Sequence, residues 1–143
     1  MNDRYRPQPV ALWFPIAAIA SLLFMGLGCA ALVMHVTADA AKLPLDQRAL
    51  FEAEPQWVVA ASAFGFVAGL IGSLLLLLRR EAAERALLMS LFGMLAWLGG
   101  MFATPRFRDL LTTDEIAIML AVAALSWTIY WFARHSRERG WLR

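Results

Sequence analysis

Four long stretches of this chain contain no Asp, Glu, Lys or Arg, at residues 10–36, 57–78, 86–103 and 116–133, and short polar segments separate them. At ~1.5 Å rise per residue, a helix of some 20 residues crosses a ~30 Å hydrocarbon layer. The pattern predicts transmembrane helices near residues 10–36, 56–79, 84–103 and 114–134. They would form a single all-α integral membrane domain over residues 1–143, an up-down-up-down four-helix bundle.

Within the second stretch, Ser62, Gly65, Gly69, Gly72 and Ser73 recur at intervals of three and four, so they share one flat stripe, while Phe64, Phe66, Leu70, Leu74 and Leu77 lie largely off it. This helix is expected to be the central packing helix, with Gly65, Gly69, Gly72 and Ser73 at its contacts. The first stretch carries Trp13 and Pro15 at its start, where a missing N–H costs little, and a thin outer half at Gly26, Gly28, Cys29, Ala30 and Ala31. Its basic flank imitates a signal peptide, but the apolar run is too long and lacks a cleavage motif, so it is read as retained. In the third, Trp97 sits deep, which points to packing.

The connections add detail. Residues 37–55 form an acidic loop in which Pro44 can open a short surface helix that ends before Pro55. Leu45, Ala49 and either Leu50 or Phe51 would then face the membrane, with Asp46, Gln47 and Glu54 facing water. The link from Arg79 to Arg85 is short enough to force an antiparallel hairpin. Thr112 with Glu115 has the pattern of a capping box opening the fourth helix.

Charge sets an expected orientation. Nine Lys and Arg residues flank one side of the four stretches and four flank the other, which by the positive-inside rule predicts both termini in the cytoplasm and the 37–55 loop in the periplasm of a bacterial inner membrane. An apolar content of 61% and a mean hydropathy of +0.61 agree with a bilayer protein. The net charge of +2 is explained by this flanking arginine, so nucleic acid is not an expected partner. Lipid is, and a second copy or a larger membrane complex is a further candidate. Cys29 is the single cysteine, which excludes an intrachain disulfide.

At Pro55-x-Trp57, Gly65, Gly69, the run Gly72-Ser73-Leu74-Leu75-Leu76-Leu77-Leu78-Arg79, and Ser90, the chain resembles a family of small uncharacterised bacterial four-helix inner-membrane proteins, some of which carry the label "sugar transporter". The likeness runs over nearly the whole chain and implies the same four-helix architecture. The family's first span carries an Asn and an Asp-Tyr pair, where this chain has Met25, Ala31 and Leu32.

No ionisable side chain lies in the middle of any stretch, which disfavours a proton-coupled antiporter built on a buried carboxylate. His35 and His135 fall at opposite membrane faces, so bis-His haem is disfavoured too. No nucleophile–base set, phosphate loop or metal-spaced cluster is present, so neither an enzyme nor a bound cofactor or metal is expected. The one polar constellation is His35 with Asp39, four residues on, which share a face if the helix continues one turn. With Trp57 they form the candidate recognition site on the loop side, rimmed further by Gln56. Two function classes follow: a binding, assembly or accessory subunit acting through helix contacts, or an oligomeric transporter or channel subunit for a small neutral, sugar-like solute.

Overall fold

The computed structural model describes residues 9–143 apart from the side chain of Asp46, so the flanking Arg4 and Arg6 lie outside the described residues. The chain forms six helices there: α1 (Phe14–Thr37), α2 (Leu45–Ala53), α3 (Gln56–Leu77), α4 (Ala82–Ala103), α5 (Pro105–Arg108) and α6 (Thr113–Glu138), with one 3-10 turn at Ala40–Lys42. α1, α3, α4 and α6 are each long and apolar enough to cross a membrane. This is a multi-pass, all-helical membrane protein. α2 and α5 lie together at one end of the bundle, called here the loop end, and the α3–α4 turn and the C-terminus lie at the other.

Local chemistry sets the boundaries. α1 begins at Phe14 rather than at residue 10, because Pro15 fixes the first turn there. Thr112 and Glu115 close a full capping box at the start of α6. α6 continues a turn past Ala133: Arg134 bonds to Glu138 at 3.2 Å, and His135 and Arg137 complement the negative end of the helix dipole.

The neighbours run in the order α1, α3, α4, α6. Lipid tails give apolar helices no reason to prefer one another, so close backbone approach and interhelical hydrogen bonds must hold them. α3 supplies both. A Cβ added at Gly93 would stand 2.7 Å from the Gly65 Cα, so these two backbones touch. Beside that contact, the buried Ser90 hydroxyl donates to the Gly65 carbonyl at 2.7 Å. Gly69 lies under Met25 of α1 and Ser90 of α4, and Gly72 lies under Leu87. Ser73, one residue on, is wholly buried.

Apolar clusters close the two ends. At the loop end, Val58, Met101 and Phe107 pack with Leu50, Trp97 and Met119. At the other end Trp13 and Phe14 of the first helix region meet Phe132 and Trp141, with ring centroids 5.4 to 5.9 Å apart. There the tail after α6 folds back on the α3–α4 turn. Gly140 turns the chain with φ 69°, Arg143 N–H donates to the Arg79 carbonyl at 2.6 Å, and Glu81 N–H donates to the Arg143 carbonyl at 3.1 Å. Arg79 itself has φ 59°, a left-handed conformation costly to any residue with a Cβ, and its Nε donates to the Trp141 carbonyl at 2.9 Å.

Candidate binding site at the loop end

α2 forms where Pro44 ends the extended segment before it, and an Arg48 to Glu52 pair at 2.7 Å bridges its exposed turn. Pro55 then stops it. The residue before a proline is driven out of the α region, and Glu54 accordingly has ψ 121°. That one extended residue redirects the Glu54 side chain away from solvent and into the bundle.

Glu54 Oε2 stands 2.8 Å from Nε2 of His35, in the last turn of α1, and the Glu54 side chain is only 8% exposed. This corrects the expectation that Glu54 faces water. It also replaces the expected partner of His35: α1 ends at Thr37, Ala38 is extended, and Asp39 is carried off the helix face. Asp39 instead accepts from Ala41 N–H at 3.1 Å, capping the 3-10 turn, and lies 3.6 Å from Lys42 Nζ. The His35 ring packs against Phe51 of α2, with centroids 5.0 Å apart. Burial pushes the Glu54 carboxyl up from its ordinary value, and the charge and hydrogen bond of His35 pull it partly back.

The pair borders a cavity of about 580 Å³. α1 contributes Gly28, Ala31 and Leu32, α2 contributes Leu50 and Phe51, and Phe66 of α3 and Trp97 of α4 complete much of the wall. Gly28 is required here, because a side chain at that position would strike the Phe66 ring. α6 contributes no wall. The site is therefore a largely apolar chamber, open to the surface, with an ionisable donor–acceptor pair at its loop end. Trp97, read from the sequence as a packing residue, is also part of this wall.

Neither Asp39 nor Trp57 lines the chamber. Trp57 is 56% exposed, and its ring lies over Gly100 of α4, where a side chain would collide with it. Gln56 is exposed at the start of α3. Of the three residues expected to recognise a ligand, the structure brings His35 alone to the cavity. Gly65, Gly69, Gly72 and Ser73 are all buried at helix contacts. Among the described residues no three His, Cys, Asp or Glu side chains converge as a metal site.

Sequence reasoning missed Glu54, although a signal existed: a carboxylate immediately before a proline cannot continue the water-facing side of the helix it follows. No known family model, no curated protein and no solved structure matches the chain.

Proposed function

We propose that this is a binding protein of the bacterial inner membrane, with both termini cytoplasmic and the α2 end periplasmic, that holds a small amphiphilic guest in the chamber under α2. The nine-to-four distribution of Lys and Arg supports the orientation. The observation that carries the function is the Glu54 carboxylate, almost wholly buried against His35 on the wall of a chamber of about 580 Å³ whose other walls are largely aliphatic and aromatic. An ionisable pair is costly to hold beside an apolar space, and a guest with one polar group and an apolar body uses both parts. A sugar-like solute would need donors and acceptors along most of the wall, where this chamber offers Gln47 and Ser62 beside the His35–Glu54 pair, among largely apolar side chains. An accessory role in a larger assembly is compatible with this reading.

Native mass spectrometry of the protein purified in mild detergent tests it. The parent should carry a small molecule in stoichiometric amount, and Ala31→Phe, which projects a ring into the chamber from its wall, should lose it while keeping its helical melting profile. A parent free of any guest, or a guest retained equally by Ala31→Phe, would overturn the proposal.

A further inference from the structure

A second groove lies at the opposite end of the molecule, between α4 and α6, with a volume of about 520 Å³. Its chemistry is graded along its length. Phe92 and Leu95 of α4 and Trp127 of α6 form the deep end, and Trp131 follows one turn along. Arg134, His135 and Glu138 form the shallow end, beyond the last apolar turn of α6. Phe92, Trp127 and Trp131 are all more than half exposed, so this apolar surface is available along the bilayer. Trp127 and Arg134 are two helical turns apart, about 10 Å along the axis, so the gradient runs from acyl-chain depth to headgroup depth.

The charges at the shallow end select the headgroup. Arg134 Nε donates to Glu138 Oε1 at 3.2 Å, and both side chains are largely exposed. Tyr130, one turn before Arg134, also lines the groove. The other guanidinium N–H groups of Arg134 form a fork suited to phosphate, which Nε alone does not exhaust. Glu138 disfavours a second negative charge beside it and accepts hydrogen bonds from an ammonium. Arg137, the neighbouring cation, does not line the groove and pairs with Glu84 of α4 at 2.5 Å. His135 is held in place by stacking on Trp131, at 5.4 Å and 11°, with its edge against Trp141.

We infer that this groove is a binding site for a zwitterionic phospholipid with a primary ammonium headgroup. Its phosphate sits on Arg134, its ammonium on Glu138, and one acyl chain lies along Phe92, Leu95 and Trp127. The inference rests on the membrane embedding alone and is independent of the chamber at the loop end.

The test loads the full-length protein into nanodiscs of phosphatidylethanolamine, phosphatidylcholine and phosphatidylglycerol in equal amounts, releases it into mild detergent and reads the retained lipid by native mass spectrometry. The parent should retain phosphatidylethanolamine in preference to both others, since the trimethylammonium of phosphatidylcholine has no N–H to give Glu138. Glu138→Gln removes the anion and leaves Arg134 unopposed, so the preference should invert toward phosphatidylglycerol. Arg134→Gln should lose retained lipid of every kind. Both positions are exposed, and unchanged thermal melting would show that the bundle is intact. The same lipid distribution in the parent and both variants, or a parent that prefers phosphatidylglycerol, would overturn the inference. Ala31→Phe should leave this lipid bound, which separates the groove from the chamber.

Discussion

The hydroxyl of Ser90 on α4 donates to the carbonyl of Gly65 on α3 at 2.7 Å, beside the close backbone contact where Gly93 faces Gly65. The hydrogen bond and the contact depend on each other: the serine can reach a main-chain carbonyl only because neither helix carries a side chain between them. Ser90→Ala should cost about 0.5–1.5 kcal/mol, since the Gly65 carbonyl remains within its own helix. Gly93→Ala should cost more, because its Cβ meets backbone that cannot turn aside.

Gly99 provides the control. Nothing lies within 4 Å of a Cβ placed there. Gly99→Ala should therefore stabilise the helix by about 0.5–1 kcal/mol, opposite in sign to Gly93→Ala. Detergent melting of the two variants side by side reads the difference, and equal effects would mean that the α3–α4 contact is not the one described.

The Glu54 carboxyl is held above its ordinary value of 4.5 by burial. The folded protein therefore takes up this proton at a pH where the unfolded chain is still ionised. The contribution of Glu54 to stability is thus complete below the ordinary value and is lost as pH rises through the folded one. Relative to Glu54→Gln, the parent should gain stability as pH falls through this window. Carbon NMR of labelled glutamate carboxyls, with the Glu54 signal assigned by its loss in Glu54→Gln, should place the midpoint above 4.5. His35→Ala, which removes the opposing charge, should move it further up.

Arg79 occupies a left-handed conformation that glycine adopts without strain. Arg79→Ala keeps the strain and loses the bond to the Trp141 carbonyl, whereas Arg79→Gly loses the bond and the strain together. Thermal unfolding should therefore find the glycine variant about 1 kcal/mol more stable than the alanine variant.

Thr112 caps α6 through the Glu115 N–H, and its own N–H donates to the Glu115 carboxylate at 2.7 Å. Thr112→Ala should cost about 1 kcal/mol, and hydrogen exchange should rise selectively in the first turn of α6.

Much of this molecule could be read from residue types at fixed spacing. Charge-free runs mark the four long helices because the bilayer tolerates nothing else, and Thr112 with Glu115 marks the start of α6 because capping is a local interaction. The spacing of Gly65, Gly69 and Gly72 is legible as one face for the same reason. The candidate site was less legible. His35 has a carboxylate at Asp39 within one turn, yet its partner is Glu54, delivered from the far side of α2 by the extended residue before Pro55. The α4–α6 groove likewise joins residues some 40 positions apart, and the tail contact with Arg79 depends on φ at one arginine, which composition does not encode.

The Arg79–Arg143 contacts have a mechanical meaning. They tie the tail of α6 to the α3–α4 turn, and the aromatic rings of Trp13 and Phe14 join α1 to the same place. α1, about 36 Å long, packs along α3 and is tied at this end by the knot. Its far end is latched to α2 through His35 and Glu54. A tilt of about 5° of α1 about the knotted end would move its other end by roughly 3 Å, the scale on which the mouth of the chamber would change. With Cys29 changed to Ser, spin labels at Val36 and Leu110 should give a distance distribution that broadens in Glu54→Gln, and labels at Leu12 and Arg134 one that does not. Neutralising that carboxylate is therefore expected to loosen the loop end of the bundle, because the latch acts at the end of α1 furthest from the knot.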